Sequence, residues 1–234
     1  MSSDSIDLSG WKRGGRPDSQ SREALFTTLA NGIRRETVSI LLDNRTSIAV
    51  RELATQVAER AFETPDASER KQVHVSLVHQ HLPTLETAGF VTYDSESKTV
   101  EVSAELLSHQ YAVATVLSAV DAQSSDTVDE ELEALANRRR RVVLSVLDGS
   151  PALSLDELAA RVVERELEAE ATETDAVRTE RVRDDVRTML HHTHLPKLHA
   201  FDFVRYDSET QTVERGQNGF ADRLGTLALP VAGR

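Results

Sequence analysis

One block of sequence is written twice in this chain of 234 residues, which restricts the fold to two copies of one small domain. Leu29-Ala30-Asn31 with Arg34-Arg35 returns as Leu135-Ala136-Asn137 with Arg140-Arg141. Glu52-Leu53-Ala54, followed by Val57-Ala58-Glu59-Arg60, returns as Glu157-Leu158-Ala159, followed by Val162-Val163-Glu164-Arg165. His79-Gln80-His81-Leu82-Pro83-Thr84-Leu85 pairs with His192-Thr193-His194-Leu195-Pro196-Lys197-Leu198, and Phe90-Val91-Thr92-Tyr93-Asp94 pairs with Phe203-Val204-Arg205-Tyr206-Asp207. The order of blocks is unchanged. The offset is 105 between Glu52 and Glu157 and 113 between His79 and His192, and the longer polar segment Glu168 to Asp175 of copy two takes up the difference.

Apolar spacing sets the expected elements. Leu25, Leu29, Ile33, Val38 and Leu41-Leu42 follow a helical period broken at Asn31-Gly32, which predicts two helices, and copy two repeats the pattern with its break at Asn137. A short apolar stretch and a third helix follow, beginning near Arg51 or Asp156. The next helix puts Val73, Leu77, Leu82 and Leu85 on one face, matched by Val186, Leu190, Leu195 and Leu198. Pro83 and Pro196 lie inside it, so a kink near His79 to Leu82, or a fresh helix starting there, is expected. Phe90 to Asp94 and Thr99 to Ser103 alternate faces as a β-hairpin does, and Phe203 to Asp207 with Thr212 to Arg215 repeats it. Ala104 to Val120 reads as one long apolar helix between the copies, a domain connector or a homodimer seam. The expected divisions are a disordered arm at 1–20, a first domain at 21–103, a linker or dimerisation helix at 104–123, a second domain at 124–216 and a C-terminal helix and tail at 217–234. The fold class is mainly α with small β-hairpins, α+β.

In this order of elements Leu25-Phe26-Thr27-Thr28-Leu29-Ala30-Asn31-Gly32-Ile33-Arg34-Arg35 resembles the opening of arsenical-repressor-like winged-helix domains. His81-Leu82-Pro83-Thr84-Leu85-Glu86-Thr87-Ala88-Gly89-Phe90-Val91 resembles their recognition helix running into the first wing strand. His-x-His-Leu-Pro-x-Leu before Val-x-Tyr-Asp is also similar to a haloarchaeal domain of unknown function in that superfamily. The resemblance implies two tandem winged helix-turn-helix domains joined by a long helix, and duplex DNA as partner. It implies no effector, because metal-sensing members rely on cysteine-rich sites and this chain has no cysteine.

Composition narrows the function classes. The absence of cysteine rules out a disulfide framework and thiolate chemistry and fits a reducing compartment. Met1 to Gln20 lacks an apolar run long enough for a signal peptide or membrane span, so a soluble cytoplasmic protein with no membrane partner is expected. The net charge is −12, and only Lys12, Lys71, Lys98 and Lys197 are lysines, a balance like that of proteins adapted to molar salt. Such acidity argues against nucleic acid in dilute buffer, because backbone binding is driven by phosphate neutralisation. At molar salt the screening length falls to roughly 3 Å, and local contacts outweigh global charge. No Gly-rich phosphate loop, no Gly-x-Ser-x-Gly elbow and no paired carboxylates in an apolar setting are present, so no enzyme and no cofactor are expected. Trp11 in the arm is at most an interaction anchor.

A recognition helix presents its N-terminal side chains to bases and phosphates in the major groove. In copy one these are Arg70, Lys71 and His74; in copy two Arg183, Arg187 and His191, preceded by Arg178 and Arg181. Arginine's bidentate fork makes copy two the stronger candidate, unless these arginines merely pair with Glu180, Asp184 and Asp185 along their own helix. The acidic hairpin tips, Asp94-Ser95-Glu96-Ser97-Lys98 and Asp207-Ser208-Glu209-Thr210-Gln211, would repel phosphate. Seven of the eight histidines lie in the two long-helix segments, but residues two apart on a continuous helix diverge by about 200° and cannot share an ion. The expected role of His79, His81, His192 and His194 is structural, with rings bonded to carbonyls freed by the prolines, a metal or proton sensor being the alternative. The leading expectation is a sequence-specific transcription regulator whose two copies act as a pseudo-dimer, or within a homodimer, with successive grooves about 34 Å apart. The alternatives are a protein-interaction adaptor of winged-helix shape and a histidine-based metal or pH-responsive regulator.

Overall fold

The computed structural model describes residues 19–122, 127–170 and 176–228. The arm expected at 1–20 lies outside the described residues apart from its last two positions, and so do Trp11, the linker's end at 123 and the tail beyond 228. The described chain is α+β, mostly helical with two three-stranded antiparallel sheets, and it divides into two compact units, Met1–Glu133 and Ala134–Arg234.

The first unit runs α1 (Ser19–Leu29), α2 (Gly32–Asn44), β1 (Ile48–Ala49), α3 (Val50–Ala61), α4 (Ala67–Ser76), a π-helical turn (Leu77–His81), α5 (Leu82–Thr87), β2 (Val91–Asp94), β3 (Thr99–Val102), α6 (Ala104–Ser108) and α7 (Gln110–Asp121). α8 (Val128–Ala136) spans the division between units, later than the boundary expected at 124. Its first turn is held in unit one by an ion pair from Arg35 to Asp129. The second unit continues with α9 (Arg138–Leu147), β4 (Leu153–Ser154), α10 (Leu155–Glu170), α11 (Ala176–Met189), a π-helical turn (Leu190–His194), α12 (Leu195–Ala200), β5 (Val204–Asp207), β6 (Thr212–Arg215) and α13 (Phe220–Arg223). Sheet order is β1-β3-β2 and β4-β6-β5, with Tyr93 opposite Val100 and Tyr206 opposite Val213. The connecting helix expected over 104–120 is present with a break at His109, where φ −119 and ψ 12 leave helical geometry and the ring bonds back to the Glu105 carbonyl at 2.8 Å.

The duplicated Asn and Arg-Arg motifs build the first turn of each copy. Asn31 accepts from the Arg34 N–H and Asn137 from the Arg140 N–H, capping the second helix. The following arginines reach back over the end of the first helix. Arg35 donates to the Leu29 carbonyl at 2.8 Å, and Arg141 donates to Leu135 at 2.7 Å and also to Ala136; Arg34 and Arg140 reach the Thr28 and Ala134 carbonyls. A helix end leaves its last carbonyls without partners and carries partial negative charge, so a guanidinium there satisfies both needs. Arg141 is 1% exposed, as deep as any core residue. Beneath these clamps Leu29, Leu41, Leu53, Val57, Leu77, Leu82, Leu85 and Val100 form one core, and Leu135, Leu147, Leu158, Val162, Leu190, Leu195, Leu198 and Val213 form the other.

A fresh α-helix begins ahead of each proline, α5 at Leu82 and α12 at Leu195, each entered through a π-helical turn. An α-helical turn would drive the Pro83 ring into the carbonyl four residues back. The chain widens instead, with Leu82 N–H bonding to Leu77 O and Leu195 N–H bonding to Leu190 O, five residues back. The turn from helix to hairpin needs a left-handed residue, Gly89 (φ 71) in copy one and Asp202 (φ 53) in copy two. Facing Asp202 is Gly216, where a Cβ would stand 2.0 Å from the Asp202 carbonyl oxygen.

Replacing Arg141 by Ala strands two buried carbonyls and is expected to cost roughly 2–3 kcal/mol. Arg35→Ala, at a half-buried position, is expected to cost less, and thermal or denaturant unfolding in molar KCl orders the two variants.

Candidate nucleic-acid interface

α3 and α4 pack together, as do α10 and α11, and in each copy the hairpin turn closes onto the start of the earlier helix of the pair. Val50 N–H bonds to the Lys98 carbonyl at 3.0 Å, and Leu155 N–H bonds to the Gln211 carbonyl at 2.8 Å. Both turn residues are left-handed, φ 56 at Lys98 and φ 53 at Gln211. Each copy therefore has a corner where a helix start, a long helix and a hairpin tip meet.

α4 is set by a capping box. Asp66 accepts from Ser68 and Glu69 N–H groups at 2.7 and 2.8 Å, while Glu69 accepts from Asp66 N–H at 2.8 Å. With Val73 and Leu77 inward, the exposed side carries Ser68, Lys71, Gln72, Val75 and His79, which border a shallow cavity of about 500 Å³. Val75 is 47% exposed, and none of these five side chains is a carboxylate. Their counterparts, 113 residues on, are Arg181, Asp184, Asp185, Thr188 and His192, all exposed.

The residues named from sequence fare unequally. Arg70 and Lys71 are exposed, and their side chains make no hydrogen bond or ion pair with another described residue. His74 is half-buried, and its Nδ1 is buried with no hydrogen-bond partner among the described residues. The side chain of Arg178 lies outside the described residues, and Arg181 is exposed. Arg183 donates to the Asp156 carbonyl at 3.2 Å. Arg187 donates from Nε to Asp156 Oδ1 and from Nη2 to Gln211 Oε1, both at 2.6 Å. His191 Nδ1 and the Tyr206 hydroxyl lie 2.5 Å apart, and burial raises the Tyr206 pKa. The partner of these arginines is thus Asp156 on α10, across the corner, rather than the acids of their own helix.

The first aspartate of each acidic tip is a turn-builder. Asp94 accepts from Glu96 N–H at 2.8 Å and Ser97 N–H at 3.3 Å, and Asp207 accepts from Glu209 and Thr210 at 2.8 and 3.2 Å. Hydrogen bonds from the Ser97 side chain and these N–H groups hold the Asp94 carboxyl below the usual range, and bonds from Thr210 and Glu209 do the same for Asp207.

The paired histidines separate, His79 and His192 outward and His81 and His194 inward at 4% exposure. The expected bonds to freed carbonyls are not formed. Both ring nitrogens of His194 and Nδ1 of His81 are buried without a hydrogen-bond partner among the described residues. No group of three or more His, Cys, Asp or Glu among the described residues could hold a metal ion, and no described helix is long and apolar enough to cross a membrane.

The family model described as a domain of unknown function, DUF7344, matches residues 26–101 and again 132–214. The chain belongs to this family. Each DUF7344 match contains one complete corner, from the Asn and Arg-Arg turn to the hairpin. No curated protein and no solved structure matches the chain. Within the two DUF7344 copies, sequence reasoning gave no role to Arg51, Ser68, Gln72 and Val75, and took Lys98 only as part of an acidic tip and His79 only as a structural or metal-sensing histidine. The usable signal was the charge reversal from Arg51 to Asp156 at equivalent positions.

Burial lowers the His194 pKa to about 4, with repulsion from Arg140 and Arg139 adding to it and Glu166 opposing. The folded-state value lies below the unfolded value near 6.5, so the unfolded chain binds the proton more readily. Stability from this site is complete above pH 6.5 and drains as pH falls toward 4. A His194→Leu variant is expected to lose less stability than the parent between pH 6.5 and 5, before most carboxylates titrate, as followed by denaturant midpoints at each pH.

Proposed function

We propose that the chain is a sequence-specific DNA-binding transcription regulator built from two winged helix-turn-helix domains, in which the first copy reads the duplex. The helix, helix, strand, helix, long helix, hairpin order and its resemblance to arsenical-repressor-like domains support the reading. The observation that carries it is the exposed side of α4, where Ser68, Lys71, Gln72, Val75 and His79 stand together without a carboxylate. These groups suit base edges: glutamine bonds adenine, lysine bonds guanine, and an exposed valine meets the thymine methyl. The equivalent side of copy two carries Asp184 and Asp185, whose charge repels the phosphates that flank a groove. Arg181, Arg183, Arg187 and His191 then play a secondary part, either in a pseudo-dimer or within a homodimer.

A protein-interaction adaptor is the second reading, favoured by Tyr111, which is 85% exposed on α7, and by Leu107, 38% exposed on α6. The two readings separate in a genome-wide occupancy map made in native salt. Discrete sites that vanish in a Lys71→Ala, Gln72→Ala variant are the expected outcome, since removing a base-specific hydrogen bond costs roughly 1–3 kcal/mol. An occupancy map without discrete sites in the parent chain would leave only the adaptor.

A further inference from the structure

The two corners share a backbone hydrogen bond from helix start to hairpin turn and differ in charge. In copy two Arg187 reaches both Asp156 and Gln211, and Arg183 reaches the Asp156 carbonyl, so positions 156, 183, 187 and 211 converge on one point. Counting back through the repeat, the same positions in copy one are Arg51, Arg70, His74 and Lys98. The hydrogen bond from Val50 to Lys98 and its twin from Leu155 to Gln211 hold the two turns in the same relation to the helix start. Arg51, Arg70 and Lys98 are exposed, and neither arginine side chain meets another described residue through a hydrogen bond or ion pair. Lys98 feels the Asp94 carboxylate, but that group is already committed to the backbone of its own turn. By the repeat, copy one carries the cations Arg51, Arg70 and Lys98 at positions where copy two has the Asp156 carboxylate paired with Arg187 and the Asp156 carbonyl bonded by Arg183.

We propose that the Arg51–Arg70–Lys98 corner docks the phosphodiester backbone of duplex DNA, and that in copy two the Asp156 carboxylate takes the place of that phosphate and masks Arg187. This inference rests on the duplex-binding reading above and adds to it where the backbone is held and why one copy is silent. Charge complementarity selects the occupant. A cationic corner flanked by the exposed side of α4 can take a phosphate while the helix lies in the groove, since phosphate contacts fix register and base contacts select sequence. The carboxylate of Asp156 at 2.6 Å from Arg187 Nε is the geometry an anionic oxygen adopts on a guanidinium.

The reciprocal exchange tests it. Arg51→Asp gives copy one the carboxylate of copy two, and Asp156→Arg gives copy two the cation of copy one; Arg51→Ala and Asp156→Asn are the milder pair. Affinity for a short random-sequence duplex is measured across a KCl series, with thermal unfolding in the same salt reporting that each variant is folded. R51D and R51A are expected to weaken binding and flatten the slope of log K against log salt by about one for each phosphate no longer neutralised. D156R and D156N are expected to strengthen binding and steepen the slope by a similar amount as Arg187 becomes available. Parental slopes in R51D and R51A overturn the docking corner, and unchanged binding in folded D156R and D156N overturns the masking. If the Lys71→Ala, Gln72→Ala variant loses binding while R51D keeps the parental slope, the corner fails and the duplex-binding reading survives. Absence of salt-dependent binding in both the parent and D156R overturns the two together.

Discussion

The guanidinium set on the end of the first helix is the contact on which each copy depends. A helix that stops inside a small domain leaves carbonyls facing a core with no water to receive them, and burying an unpaired carbonyl costs more than a made hydrogen bond returns. Arg35 and Arg141 solve this by reaching back six residues to Leu29 and Leu135, while Asn31 and Asn137 cap the helix that follows. The angle between the first two helices is then fixed by hydrogen bonds as well as by packing. Everything downstream, from the leucines of the long helix to the three-stranded sheet, packs on that frame.

On a shared frame, the copies diverge where side chains reach solvent. The clamp from the third helix to the second survives in both, as Arg60 to Ser39 at 3.0 Å and Arg165 to Ser145 at 3.3 Å. Copy two adds a two-pronged pair from Arg139 to Glu166 at 2.9 and 2.8 Å, with both side chains largely buried, which lashes α9 to its extended α10. It also ties its long helix to the hairpin through Arg187 and Gln211 and through His191 and Tyr206. Copy one lacks these links among the described residues and keeps its polar groups outward. Both domains clamp their second and third helices at the surface, copy two adds links from its long helix to the hairpin and to α10, and the difference lies in the residues rather than the backbone.

The frame was readable from sequence because it follows from periodicity and from proline and glycine chemistry, which act locally. Helix breaks at Asn31 and Asn137, the hairpins and the disturbance ahead of Pro83 and Pro196 all belong to this class. The π turn itself was not readable, since widening a helix and kinking it relieve the same clash and sequence does not choose between them. The role of Arg34, Arg35, Arg140 and Arg141 escaped for another reason: a basic pair after a break looks like a solvated face until the ending helix is known to present its carbonyls there. The partner of Arg187 escaped because Asp156 lies 31 residues away, beyond any helical spacing rule.

Salt decides how such surfaces act in an acidic chain. At molar concentrations the field of the −12 net charge is screened within roughly 3 Å, so global repulsion would not set an encounter with a polyanion. Only groups in contact count. The Asp156–Arg187 pair at 2.6 Å lies inside that length and keeps its strength, whereas an exposed acid a helical turn away from an arginine does not. In the proposed masking, a single carboxylate at contact distance would therefore outweigh a dozen excess negative charges spread over the surface. By the same reasoning, the proposed docking of a phosphate on Arg51, Arg70 and Lys98 would depend on direct contact rather than on the acidity of the rest of the chain.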